Sequence, residues 1–561
     1  MKKIVVLLIA FELYAAFVYS QPYKYWIEFT DKNGSPYSLT NPSAYLSARA
    51  LARRSKYNIA IQMNDLPPNP QYIDSVVSKG VTLLNRSRWF NAISIYAPDT
   101  TKLALIRALP FVKNGTLVTI NKLKDGNYNS RGLKSPANGF VERYGGASNI
   151  GSIDSFSLGS AYNQEHMIGV DCLNNKGYRG KGMQIAQIDA RFGIAKWLPA
   201  YDSLYNRGGV LGTWDFVWEI PFVYDDTNNI DNHGQMVLGC MAGNLTGQYL
   251  GDAADADYYL LRTEDIASEH RIEDDNWTSA AEYADSAGAD IITSSLGYTT
   301  FDEGFDNYTY AEMNGKFAVA SEAATIASEK GLVVCVAAGN NGGSPWQHID
   351  SPADADSILT VGGVDGSGNY ASFSGTGPTA DGRIKPDVVA EASGIAICSP
   401  SGGVTNGSGT SFATPIIAGA VACLWQANPS ATNMQIIRAI KQSATLYSHP
   451  NDSLGWGIPD FCLANTILGS PEIKTAGVLT KVYPNPFLNI ITVEFYSSIQ
   501  QTLSVKLVDM MGRTVYRQSA VAGAGGNSLI EISGISHLAG GVYLVSITDE
   551  NGNFYSAKVV K

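Results

Sequence analysis

Between residues 156 and 466, short apolar runs alternate with stretches of helical spacing, and this alternation restricts the fold more than any other feature of the chain. Met183–Ile188, Ala289–Thr293, Gly331–Val336 and Ile358–Val361 are strand-length and apolar at consecutive positions rather than at every second one. A strand that is apolar on both faces needs a covering layer on each, which is the situation of a parallel sheet in an α/β fold. Helical patterns begin at His233 and, rich in Ala, at Thr410.

With 561 residues the chain is too long for one core, and shifts in composition divide it. Residues 1–20 open with Lys2 and Lys3, continue with an apolar stretch to Val18 broken by Glu12, and end in Val18-Tyr19-Ser20. This is the pattern of a secretory signal peptide cut before Gln21; the stretch is shorter than the ~20 residues a membrane anchor needs. No later segment is expected to span a bilayer. Residues 21–125 mix strand patterns (Tyr25–Phe29, Thr82–Leu84, Asn91–Tyr96) with helical ones (Ser43–Arg54, Thr101–Leu109), a small α+β unit. Residues 126–155 are rich in Gly, Ser and Asn and read as an exposed linker open to proteolysis. The α/β block at 156–466 follows, then a short break at 467–475. Residues 476–561, rich in Val, Ile, Tyr and Thr with turns such as Met511-Gly512, read as an Ig-like β-sandwich.

A net charge of −11, with no basic run beyond short clusters such as Arg53-Arg54, gives the chain no general affinity for nucleic acid or anionic membranes. Of the six cysteines, Cys240, Cys335 and Cys423 lie in apolar surroundings and read as buried free thiols. Cys172, Cys398 and Cys462 are less constrained and their pairing stays open. No spacing suggests a zinc site.

Three polar residues stand where packing alone would not put them. Asp189 ends the run Met183–Ile188, at the carboxyl end of an expected strand, where open α/β sheets bind ligands; a turn or cap is its plainer role. His233 starts a helical pattern in Asp231-Asn-His-Gly234, where a structural histidine is the plainer role. Ser411 precedes the apolar stretch Ile416–Trp425, and a helix N-cap would suit it equally. The order Asp, His, Ser is one in which catalytic triads occur on α/β chains.

Taken together these segments resemble the subtilisin-like serine proteases. Gly409-Thr-Ser-Phe-Ala-Thr-Pro415 is similar to the family's Ser motif, Asp231-Asn-His-Gly234 to its His motif, and Gln184-Ile-Ala-Gln-Ile-Asp189 to its Asp motif. Thr293-Ser-Ser-Leu-Gly297 resembles the strand lining the specificity pocket, and Ala337-Ala-Gly-Asn340 the segment carrying an oxyanion-hole Asn. The resemblance implies a parallel sheet between helices, and a triad of Asp189, His233 and Ser411. It implies an oxyanion hole of Asn340 and the Ser411 N–H, with substrate bound by Ser295, Leu296, Gly297, Ala338, Gly339 and Asp350. Protein or peptide substrates follow. No cofactor is required, although calcium is a common stabiliser of such proteases. The acidic stretch Tyr224–Asp231 could supply its oxygen ligands or be a solvated loop. Asp350, counted back from Pro352-Ala353, falls near the floor of the primary pocket, where a buried carboxylate would favour Arg or Lys before the cut bond; an exposed loop position is the plainer reading.

The chain departs from the family pattern at Gln235 and Met236 after the His-Gly pair, at Ala190 and Arg191 after the Asp, and at Phe412 after the Ser. None of these removes a reacting group. By the same resemblance, 21–125 is expected to be a propeptide that acts as chaperone and inhibitor and is removed by self-cleavage in the linker. The C-terminal module, with Tyr483-Pro-Asn-Pro-Phe487, Leu507–Arg513 and Gly540-Gly-Val-Tyr543, resembles the sorting domain of the Bacteroidetes type IX secretion system. That places the protein in the medium or on the outer cell surface, with the secretion machinery as a partner. The rival functions are an inactive protease-like binding protein, an α/β-hydrolase esterase, which expects Gly-x-Ser-x-Gly and a different residue order, and an adhesin acting through the β module.

Overall fold

Strands Gln184–Asp189 and Val333–Ala337 carry side chains that alternate between two apolar layers. Ile185, Val333 and Cys335 face one layer; Ala186, Ile188, Val334 and Val336 face the other. This two-sided burial produces the mainly apolar runs in the sequence, broken in the first strand by Gln187. The computed structural model describes residues 23–113, 119–122, 158–224, 232–302, 307–469, 477–497, 500–524, 526–550 and 554–561. The signal peptide at 1–20, the linker at 126–155 with its maturation site, residues 470–475 of the second break and residues 225–231 of the acidic stretch lie outside them. The chain divides into two units, Met1–Gly469 and Ser470–Lys561.

Within the first unit, β1 (Tyr23–Glu28), β2 (Thr82–Ser87), β3 (Ala92–Ala97) and β4 (Thr119–Lys122) form an antiparallel sheet in the order β2-β3-β1-β4. Three helices accompany it: α1 (Ala48–Lys56), capped by Ser47, α2 (Pro70–Val77) and α3 (Thr101–Arg107). The sequence reading did not contain α2, although its start carries a cap and a first-turn proline, Asn69 and Pro70.

The larger part of this unit is a seven-stranded parallel sheet of β5 (Gln184–Asp189), β6 (Val210–Asp215), β7 (Asp257–Arg262), β8 (Ile291–Ser294), β9 (Val333–Ala337), β10 (Leu359–Val364) and β11 (Val388–Glu391). The strand order is β11-β10-β9-β8-β5-β7-β6. One face is covered by α4 (His233–Ala242) and α7 (Thr410–Ala427), the other by α5 (Ile272–Ala287) and α6 (Val319–Glu329). The final helix, Phe461–Gly469, carries the block three residues beyond the expected end at 466. By length and composition α7 could cross a membrane, contrary to the expectation for later segments; here it is a core helix, buried from Thr410 to Trp425. A disulfide joins Cys172 to Cys462, and Cys240, Cys335, Cys398 and Cys423 are buried free thiols.

The N-terminal sheet and α1 pack on α5 through polar groups removed from water. Glu282 of α5 accepts the Ser87 hydroxyl at 2.6 Å and the backbone N–H groups of Arg88 and Trp89 at 2.8 and 3.0 Å. Asp285, one turn on, is fully buried and ion-paired to Arg53, Arg54 and Arg88. Ser94 donates to Asp275 at 2.7 Å. At Asp285 the three guanidinium groups outweigh the cost of desolvation, whereas burial pushes the pKa of Glu282 and Asp275 up despite their hydrogen bonds.

In the second unit, β12 (Gly477–Tyr483), β13 (Ile491–Ser497), β14 (Gln501–Asp509), β15 (Thr514–Ala522), β16 (Gly526–Ile532), β17 (Val542–Thr548) and β18 (Phe554–Val560) form two antiparallel sheets, β12-β13-β16 and β15-β14-β17-β18. Phe487, Val493, Phe495, Val505, Leu507, Val545 and Ile547 fill the space between them.

Candidate active site

β5 ends at Asp189, which is completely buried. Its Oδ1 lies 2.6 Å from His233 Nδ1 and also accepts the Ala190 N–H at 2.8 Å; its Oδ2 accepts from Gln187 Nε2 at 3.1 Å. Gln187 donates from the same nitrogen to the Gly234 carbonyl at 2.8 Å, so one side chain ties the carboxylate to the start of α4. Gly234 allows that approach: a Cβ there would lie 2.9 Å from the Arg191 carbonyl oxygen and 3.2 Å from Asp189 Cβ. His233 opens α4 with its side chain 32% exposed, so Nδ1 is held by Asp189 while part of the ring stays accessible.

Ser411 is the second residue of α7 and is 8% exposed. Gly409 at the cap has φ +146°, a conformation side chains rarely adopt. Pro415 inside the helix has no N–H to give the Ser411 carbonyl four residues earlier. That carbonyl instead accepts the Ser295 hydroxyl at 2.7 Å, while Ser411 Oγ lies 3.3 Å from the Ser295 carbonyl. The head of α7 is thereby fixed to the segment leaving β8. The ring of Phe412 stands 6.3 Å from that of His233, centroid to centroid, which places the serine end of α7 beside the imidazole.

Asn340 follows β9 and is exposed. Its Oδ1 accepts the N–H and the hydroxyl of Thr410 at 2.9 and 3.1 Å, leaving Nδ2 as its outward end. Nδ2 and the Ser411 N–H meet no acceptor among the described residues. Two unengaged donors at a helix N-terminus, where the dipole favours negative charge, suit a developing oxyanion.

Ser295, Leu296 and Gly297 leave β8; Ala338 and Gly339 leave β9. Asp350 joins both segments: its N–H donates to the Ala338 carbonyl at 3.3 Å, and the next residue, Ser351, exchanges backbone bonds with Tyr298 at 2.7 and 3.3 Å. It is 4% exposed, so the surface-loop reading of this residue is corrected. Burial pushes its pKa up to about 7. The departures are also accommodated. Gln235 is buried, accepting the Ile194 N–H and donating to the Pro400 carbonyl, and Phe412 packs beside the histidine.

Motif reading missed Gln187 and the Ser295–Ser411 pair. The nearest signals were a polar residue within the buried β5 and a proline within α7. It also missed Glu264, Glu269 and Glu273, whose carboxylate oxygens lie within 4.8 Å of one another. Glu273 accepts the Asp265 and His270 N–H groups, and Glu264 the Tyr298 and Thr263 hydroxyls. Burial, with repulsion from the neighbouring acids, raises Glu264 to about 8 and Glu269 to about 7.

Residues 193–457 match the family described as subtilases, 24–134 the peptidase S8 propeptide domain of Bacteroidota, and 481–561 a secretion-system C-terminal sorting domain. The chain is similar to subtilisin DY of Bacillus licheniformis, 30% identical over half of this chain and 89% of that one. It is also similar to a subtilisin-like protease of Arabidopsis thaliana, 28% identical over 51% of this chain but only 26% of the plant protein. Among solved structures, MycP1 from the ESX-1 type VII secretion system aligns with a TM-score of 0.42 and 20% identity, covering 54% of this chain and 85% of MycP1.

Proposed function

This chain belongs to the subtilase family, and from that premise we propose that it is a secreted serine endopeptidase that cuts peptide bonds through an acyl-enzyme on Ser411. Its C-terminal sorting domain directs it through type IX secretion to the cell surface or beyond. The 2.6 Å contact between Asp189 and His233, with Ser411 on the neighbouring helix head, carries the reading.

A serine hydroxyl is a weak nucleophile near neutral pH and needs a base. His233 takes the Ser411 proton at Nε2 as Oγ attacks the substrate carbonyl, because Nδ1 is committed to Asp189. Asp189 fixes the ring and stabilises the imidazolium. Asn340 Nδ2 and the Ser411 N–H receive the oxyanion. His233 then protonates the leaving amine, and a water activated by the same imidazole releases the acyl group. Ser295, Leu296, Gly297, Ala338, Gly339 and Asp350 hold the substrate. The reaction asks for no cofactor; residues 225–231, outside the described residues, remain candidate ligands for a structural calcium ion. The N-terminal domain acts as inhibitor and chaperone until it is cut away.

A fluorophosphonate probe tests this. It should label Ser411 in the exported protein and abolish peptide hydrolysis. Failure to label would favour a binding protein, and labelling with ester but not peptide turnover would favour an esterase.

A further inference from the structure

We propose that Asp350 makes this peptidase selective for lysine or arginine immediately before the bond it cuts; the inference rests on the peptidase reading above. Three observations support it.

The first is position. Asp350 is bonded to Ala338, two residues before Asn340, and its neighbour Ser351 is bonded to Tyr298, three residues after Ser295. Asn340 and Ser295 are the residues that touch the head of α7. The acid therefore lies between the two segments that flank the nucleophile.

The second is the space around it. A Cβ at Gly339 would lie 2.1 Å from Asp350 Oδ2, and one at Gly297 2.9 Å from the same oxygen. Any side chain at either position would collide with the carboxylate. Gly297 is solvent-exposed, so the acid sits directly behind a piece of exposed backbone that carries no side chain.

The third is charge. Some buried acids here have cations: Asp285 has three arginines, Asp387 has Lys385 and Lys441, and Asp215 has Arg262; others, such as Glu165 and Asp252, have no ion pair among the described residues. Asp350 forms no ion pair among the described residues; its side-chain donors are neutral, Asn341 Nδ2 at 3.1 and 3.0 Å and Trp346. A buried carboxylate without a counter-charge is costly. An incoming ammonium or guanidinium supplies that charge, whereas an apolar side chain would leave the acid desolvated and unmatched.

The test uses the exported enzyme, labelled at Ser411 in a parallel sample, and a peptide series varied only at the residue before the cut. Arg and Lys peptides should exceed Leu, Phe and Gln peptides in kcat/KM by roughly 10- to 100-fold, the range for a hydrogen bond to a charged group. Asp350→Asn should erase that preference while raising relative cleavage after apolar residues. Unlabelled wild-type enzyme that cuts after Leu or Phe as fast as after Arg, while its parallel sample labels at Ser411, overturns the selectivity and leaves the peptidase reading intact. Enzyme that neither labels nor cuts any member overturns both.

Discussion

Arg88 Nη2 lies 2.7 Å from Asp285 Oδ2, and neither side chain is more than 8% exposed. Arg53 and Arg54 converge on the same carboxylate. Replacing it removes the carboxylate shared by three guanidinium groups, leaving Arg54 with Asp65 and Arg88 with the more distant Glu282, so Asp285→Ala should cost about 3–5 kcal/mol, the range for breaking a buried pair. Thermal unfolding of the uncut protein, made with Ser411→Ala, should show the loss; an unchanged midpoint would mean that the charges are compensated elsewhere.

The same carboxylate sets a pH limit. Burial would raise its pKa, but Arg54, Arg88 and Arg53 outweigh that and hold it below the ordinary value of 3.8. A depressed carboxyl contributes stability above its unfolded pKa and loses it as pH falls through the folded one. This contact should therefore persist through mildly acidic pH and weaken only below about pH 4. Release of the N-terminal domain measured between pH 5 and 8 should not change on its account.

Asn340→Ala should lower kcat by about 10²–10³ with a much smaller effect on KM, the size of loss seen when one oxyanion donor is removed in subtilisin. Steady-state kinetics on a single peptide decide this, and an equal loss in KM would point to substrate binding instead.

The preference for basic residues should itself depend on pH. Burial lifts the Asp350 pKa to about 7, so the free enzyme carries this charge only above that point. The ratio of kcat/KM for an Arg peptide to that for a Gln peptide should rise as pH increases through about 7. Any pH effect on the shared chemical step cancels in the ratio.

If the enzyme trims itself with this selectivity, the cut should follow a basic residue between the end of β4 and Leu158, where the described α/β block begins. Lys124, Arg131, Lys134 and Arg143 are the residues of that kind after β4. N-terminal sequencing of the mature protein should place the start directly after one of them, and Ser411→Ala should stay uncut.

What the sequence made legible was local. Strand faces, the start of α4 at His233 and the order of the motifs all follow from nearest-neighbour chemistry. Relationships across the fold did not. Arg53-Arg54 stood out only as a short basic cluster; its shared partner Asp285 is more than 230 residues away in α5, although Arg54 also pairs with Asp65 eleven residues on. Asp350 looked like a loop residue because its burial comes from two glycines in other segments. Cys172 and Cys462 could not be paired across a separation of 290 residues.

Opening that bond by Cys172→Ser with Cys462→Ser should lower stability by up to about 5 kcal/mol on a chain-entropy estimate. Reductant should then have no further effect on the melting midpoint, since the remaining four cysteines are buried free thiols.

The cross-link also has a topological consequence. It ties a short helix ahead of β5, Asp171–Asn174, to the last helix, Phe461–Gly469, enclosing every strand of the parallel sheet and all three proposed catalytic residues in one covalent ring. Accidental autolysis at any single loop within the ring opens it without producing a piece that can diffuse away. On a gel run without reductant such damaged molecules would keep their full mass, and only reduction would reveal the fragments.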